Sequence, residues 1–188
     1  AAEGAAAVVV VDRNAEGAQA VAAEIGGRAE AVDVGAEAEV TAMLARVEQD
    51  LGPVDVLCNN AGIASGGDPL TTPLDEWQRQ WQVNLMAHVY AIRAVLPGML
   101  ARGEGHIQYT ASMAGILTSH GNLPYAVTKH AVVAMSETLY QDLALVTEQV
   151  HAHVLCPYFV PTGIHQSHRN RLAAAAAAAP TRSQRVAQ

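Results

Sequence analysis

Positive charge is scarce in this chain, with eleven Lys and Arg against eighteen Asp and Glu and a formal net charge of −7. Neutralising nucleic-acid phosphates takes a basic face, so nucleic acid is not an expected partner. No basic cluster abuts an apolar stretch, which argues against a polybasic membrane anchor. No uninterrupted apolar run reaches the roughly 20 residues of a membrane span. Residues 1–11 contain Glu3 and no positive charge, unlike a secretory leader. Cysteine is rare too. Cys58 and Cys156 each sit in an apolar run outside any CxxC pattern, and read as buried, reduced thiols of a cytoplasmic protein. His151 with His153 and His165 with His168 have the spacing of ligand pairs. No acid or cysteine completes either set, so no metal is expected.

What is present is apolar: 51% of the residues, against 15% charged. That composition builds a packed core and is foreign to a disordered chain. A length of 188 residues fits a single domain over 1–188. Runs of strand length at 6–12, 28–34, 54–59, 106–111 and 151–156 alternate with segments of helical period at 15–25, 36–51, 72–102 and 124–146. Val40, Met43, Leu44, Val47 and Leu51 share one face of the second helix. Thr72 with Pro73 reads as a helix start, and Pro97 should disturb that helix. Apolar strands alternating with helices predict an α/β fold, a doubly wound parallel sheet covered by helices on both faces.

The segment 124–146 is apolar nearly all round, with Val127, Val132, Met135, Leu139 and Leu143 among its residues. One face can cover the sheet. The other predicts a homodimer or homotetramer through helices 73–102 and 124–146, or burial under the C-terminal segment. Trp77 and Trp81, one turn apart, read as packing, with a substrate platform as the alternative.

Chemistry-bearing residues collect at strand ends. Asp12 closes the first strand, where an acid in a dinucleotide-binding sheet accepts hydrogen bonds from ribose hydroxyls and repels a 2′-phosphate. Strands also often end at a solvated Asp. Arg13 follows and keeps NADP open. Asp33 is either a helix-capping acid or a group near an adenine. The run Asn59, Asn60, Ala61, Gly62 lets backbone approach a ligand closely, or forms an ordinary turn. Asn84 lies mid-helix, where an Asn needs a reason such as holding a water. Ser112 follows a strand at the crevice where α/β sheets bind ligands, placed to hydrogen-bond a carbonyl or alkoxide.

Tyr125 and Lys129 stand four apart on one helix, about 6 Å along its axis. The chain holds one lysine beside ten arginines, so Lys129 marks a place where a compact ammonium is wanted. Such an ammonium should lower the phenol's pKa from its usual value near 10 toward a useful range.

In this order and at these strand ends, Asp12, Asp33, the Asn59–Gly62 run, Asn84, Ser112, Tyr125 and Lys129 resemble the short-chain dehydrogenase/reductase superfamily, single-domain type with a Rossmann fold. The likeness runs from residue 1 to about 165. Cys156, Pro157, Tyr158, Phe159, Val160, Pro161 and Thr162 match that family's segment closing over the nicotinamide. The resemblance implies an NAD(H)-dependent oxidoreductase acting on a secondary alcohol or ketone. It implies Tyr125 as general acid/base, Lys129 on the nicotinamide ribose and Ser112 orienting the reacting oxygen. Asn84 would hold a water linking Lys129 to solvent. On the cofactor side, Asp12 would select NAD, with Arg13 beside it. Asp33 and Val34 would line the adenine, Asn60, Ala61 and Gly62 would contact the adenosine side, and Pro157, Val160 and Thr162 would lie along the nicotinamide. Ser112, Met113, Leu123, Tyr158 and Phe159 would line the substrate side. A non-catalytic dinucleotide-binding sensor on the same fold, or a related epimerase or dehydratase, are the alternatives.

Two departures stand out. Tyr158 occupies a position where the family has Gly, so its ring should narrow the substrate side or pack outward. The family's first strand and Gly-rich turn, and its last strand, have no counterpart in these residues. The strands at 6–12 and 54–59 should then each keep an unpaired edge. Residues 163–188 would be a substrate loop or lid, with the alanine run 173–179 either low-complexity loop or unidentified side chains.

Overall fold

The computed structural model describes residues 3–65, 67, 69–162 and 164. The expected lid at 163–188, the pair His165 and His168 and the alanine run therefore lie outside the described residues, Ile164 excepted. Elements alternate as β1 (Val9–Asp12), α1 (Ala15–Ile25), β2 (Arg28–Ala31), α2 (Glu37–Leu51), β3 (Val56–Asn59), α3 (Leu74–Trp81), α4 (Ala87–Arg102), β4 (Gly105–Thr110), α5 (Leu123–Ala144) and β5 (Val150–Leu155). A π-helical turn, Gln82–Met86, joins α3 to α4, and a 3-10 turn, Met113–Gly115, precedes α5.

Every strand pair is parallel. The strands fall into two sheets, β1-β2 and β3-β4-β5. Among the described residues no strand pairs with the second edge of β1 or of β3, as the sequence anticipates. Contacts between α2 and α4 help join the two halves. Val40, Met43, Leu44 and Val47 of α2 share a core with Val95 and Met99 of α4, Ile107 and Tyr109 of β4, and Val132 and Leu143 of α5. This is the predicted α2 face, less Leu51, which is 45% exposed at the helix end.

The predicted parallel α/β plan is present: α1 packs on β1 and β2, and one face of the β3-β4-β5 sheet is covered among the described residues. Gly105, Ile107, Tyr109, Val150 and Ala152 are buried, while the alternating Val56, Cys58, His106 and His153 are exposed. Cys58 is therefore not the buried thiol expected. It is free and exposed, and Cys156 is free and half-buried. The helix expected from Thr72 starts at Leu74, with Pro73 in the cap position. Pro97 does not interrupt α4. Pro97 and Arg93, whose carbonyl loses its donor, are both exposed, so water can replace the missing bond. Leu74–Arg102 is one continuous helical stretch of 29 residues whose most apolar window has a mean hydropathy of 1.3. Val95 and Met99 carry part of that apolar surface into the core. Trp81 is 42% exposed, less packed than expected. The outer side of α5 forms with Ile92 of α4 an open groove lined by Ala134, Met135, Thr138, Leu139 and Asp142.

Candidate active site

Four segments meet around Lys129. Its side chain leaves α5 one turn after Tyr125, is 2% exposed, and donates to the Thr110 carbonyl at the end of β4 at 2.7 Å. Its Nζ lies 5.8 Å from the centre of the Tyr125 ring. Ser112 follows β4. Its hydroxyl accepts from the Ala114 N–H at 3.1 Å, which starts the 3-10 turn, and acts on the Tyr125 phenol to favour its ionised form. Asn84, fully buried, sits in the π turn, a local widening that often marks functional positions. Its Oδ1 accepts from the Ile63 N–H at 2.8 Å, and its Nδ2 donates to the Ile63 carbonyl at 2.9 Å and Thr128 Oγ1 at 3.0 Å. The side chain thus clamps the loop after β3 onto α5. Both halves of the amide are engaged by protein, and Oδ1 keeps a second lone pair. Gly62 closes the ring: a Cβ there would lie 3.5 Å from both Asn84 Oδ1 and Lys129 Nζ.

Burial controls the protonation of this group. It pushes Lys129 down to about 8, with a smaller opposing pull from Cys156. It pushes Tyr125 up, against the Ser112 hydrogen bond. The lowering of Tyr125 expected from Lys129 is not the governing effect, since the ammonium lies over the ring and spends its short hydrogen bond on Thr110.

The residues assigned to the adenosine side lie at the ends of β1 and β2. Asp12 is exposed, and its carboxylate accepts from the Asn14 N–H at 2.8 Å. Arg13 beside it is exposed, and Val34 is half-buried. Asp33 does not cap α2, whose N-cap is Ala36 with no side-chain hydrogen bond. Its carboxylate accepts from the Gly35 N–H at 3.0 Å and pairs with Arg79 at 3.4 Å, while remaining partly open. Asn60 is exposed and Ala61 half-buried. On the other side, the Pro157 carbonyl accepts from the Met113 N–H at 2.9 Å, which ties the last motif to the serine turn. Thr162 bonds Val160 through backbone at 2.7 Å. Tyr158 and Phe159 are 84% and 72% exposed, and Leu123 is 37% exposed. Tyr158 is thus open to solvent among the described residues.

Sequence reasoning passed over His88 and Tyr109, two buried side chains with unpartnered polar atoms. His88 lies four residues after Asn84, and that spacing is the signal that could have found it.

A family model for short chain dehydrogenase matches residues 1–173. Retinol dehydrogenase 10 of Homo sapiens is 36% identical over 140 residues, covering 74% of this chain and 41% of the relative. The chain spans about two fifths of the length of such curated relatives. A short chain dehydrogenase/reductase from Burkholderia phymatum in complex with NAD is 35% identical with a TM-score of 0.87, covering 96% of this chain and 67% of that one. A gluconate 5-dehydrogenase from Burkholderia cenocepacia, in complex with NADP and tartrate, is 30% identical with a TM-score of 0.78, covering 92% and 69%. Matched along most of its length by the family model and by solved structures of the same parallel α/β architecture, the chain belongs to the short-chain dehydrogenase family.

Proposed function

We propose that this chain carries the catalytic centre of an oxidoreductase that moves a hydride between NAD(H) and a secondary alcohol or ketone. The observation that carries the reading is the convergence of Ser112, Tyr125 and Lys129, with Asn84 bracing the loop beneath them. These residues fit a nicotinamide dinucleotide. Lys129 spends one short bond on Thr110 and has further N–H donors for ribose hydroxyls. Gly62 brings the loop backbone close to that ammonium, within ordinary contact of where a Cβ would stand, at 3.5 Å. When bound, the dinucleotide accepts or supplies the hydride.

The chain's own residues handle the proton. Tyr125 Oη takes it from the alcohol during oxidation and returns it during reduction. Ser112 donates to the developing oxyanion. Lys129 supplies positive charge that favours the phenolate once ligands change its surroundings. Asp12 favours NAD, because its carboxylate would repel a 2′-phosphate, although the neighbouring Arg13 opposes that preference. Met113, Leu123, Tyr158 and Phe159 favour an apolar substrate of small to medium size. The free thiols fit the reducing cytoplasm. The groove of Ile92, Met135 and Leu139 suits a homodimer or homotetramer.

The test is NADH absorbance on mixing the full-length protein and NAD⁺ with apolar secondary alcohols, repeated with NADP⁺. Turnover faster with NAD⁺ is the expected result. Absence of dinucleotide-dependent turnover across alcohols and ketones would overturn the reading.

A further inference from the structure

Ser65, Gly67 and Gln80 take no part in the proposed chemistry, yet together they reach the helix that carries it. Gln80 is fully buried near the end of α3, one turn before Asn84. Its Nε2 donates to Ser65 Oγ at 2.6 Å, a bond buried at both ends, while its Oε1 has no partner. A position that needed only filling would take Leu or Met without leaving a buried amide oxygen unpaired. Gln80 and Asn84 thus grip the same loop two residues apart, Ser65 by its hydroxyl and Ile63 by both backbone groups.

Just beyond Ser65 the chain meets the start of α5. The Gly67 N–H donates to the Gly121 carbonyl at 3.0 Å, and the Gly67 carbonyl accepts from the Leu123 N–H at 3.4 Å. Gly67 and Asn122 so form an isolated parallel bridge. Asn122 holds the N-cap position of α5, but its side chain makes no capping bond, and its Oδ1 is buried without a partner. The first N–H groups of a helix need acceptors from outside it. Pro124 has none to satisfy, and that of Leu123 goes to Gly67. At 3.4 Å this bond is already long for N–H···O, so a small retreat of Gly67 breaks it. Tyr125 follows in the same turn.

We propose that Gln80 is a positioning residue for Tyr125: through Ser65 it holds Gly67 against residues 121–123, and the Gly67 carbonyl caps the turn of α5 that carries the tyrosine. Only the kinetic arm of its test rests on the proposed function. In full-length protein with Gln80→Leu, amide hydrogen exchange at Gly67 and Leu123 should quicken at least about tenfold, while Val132 in mid-α5 changes less than about twofold. The kcat should fall roughly 10- to 100-fold, the scale of a misplaced catalytic group. KM for the dinucleotide should stay within about twofold. Ser65→Ala removes the same bond from its other end and should reproduce both effects, with little further loss in the double variant. Ser65→Thr keeps a hydroxyl and should recover most of the wild-type kcat. A folded Gln80→Leu in which Gly67 and Leu123 exchange at the wild-type rate, or no faster than Val132, overturns the proposal. So does quickened exchange with kcat unchanged. If Gln80→Leu does not fold, Ser65→Ala decides by the same two readings. A wild type without dinucleotide-dependent turnover would sink the functional reading, and exchange at Gly67 and Leu123 would then decide alone whether Gln80 holds the cap.

Discussion

Burial moves the two groups nearest the chemistry toward their neutral forms, Lys129 down to about 8 and Tyr125 upward. With no ligand bound, the phenol is thus held protonated, and activation waits on what cofactor and substrate add. Tyr125→Phe removes the group that carries the proton and keeps the ring. Acid–base catalysis of this kind contributes roughly 10²–10⁴-fold, so kcat should fall by at least about 10²-fold. NADH affinity, read by fluorescence titration, should change less than about threefold; unchanged turnover would remove Tyr125 from the mechanism. His88 gives a stability prediction with a definite sign. Its folded value of about 4 lies below the ordinary 6.5, so the unfolded chain binds the proton first as pH falls. Stability is fully present above pH 6.5 and is lost as pH drops toward 4, by roughly 3 kcal/mol in all. Urea unfolding at pH 7.5 and 5 should show wild type losing about 2 kcal/mol more than His88→Leu. Equal losses would mean that His88 is not held neutral by the fold.

At the scale of elements, the serine turn and α5 meet without room to spare. A Cβ on Gly115 would lie 2.6 Å from the Lys129 carbonyl oxygen and 2.9 Å from its carbonyl carbon. That obstacle is helix backbone, so Gly115→Ala must push α5 and displace Lys129. A Cβ on Gly105 would meet Met99 Cγ and Sδ at 2.5 Å, where a thioether can rotate away. Gly115→Ala should cost about 2–3 kcal/mol and most of the activity, Gly105→Ala about 1 kcal/mol. Urea unfolding and kinetics on both variants check this, and a reversed ranking would refute the packing argument. The same elements show how far sequence carries. Strand ends marked by Asp12, Asn59 and Ser112 were legible because apolar runs stop there. The spacing of Tyr125 and Lys129 placed both on one face. The job of Asn84 was not legible, because its partners Ile63 and Thr128 lie 21 and 44 residues away. Nor was the course of α4 through Pro97, which depends on which side of the helix meets water.

For the molecule as a whole, sequence order identified the parallel α/β plan, yet composition could not say which sheet face is covered. Cys58 shows why: its apolar neighbours predict burial, but in β3 it alternates onto the exposed face. The sheet itself makes the last prediction. β1 pairs only with β2, and β3 only with β4, so among the described residues each keeps one row of backbone N–H and C=O groups without a strand partner. Open edges of this kind recruit other chains, and Val56, 58% exposed on β3, adds apolar surface to one of them. Residues 1–188 expressed alone should therefore elute in light-scattering chromatography well above 19.7 kDa and as a broad distribution. A longer chain with a strand, Gly-rich turn and helix placed before residue 1 should elute as a defined assembly and bind NADH. The two outcomes are linked, because a strand paired with both β1 and β3 would join the Asp12 side of the site to the Lys129 side. A monodisperse 19.7-kDa species with cooperative unfolding would show that the two edges are satisfied from within these residues, and the argument from unpaired strands would fall.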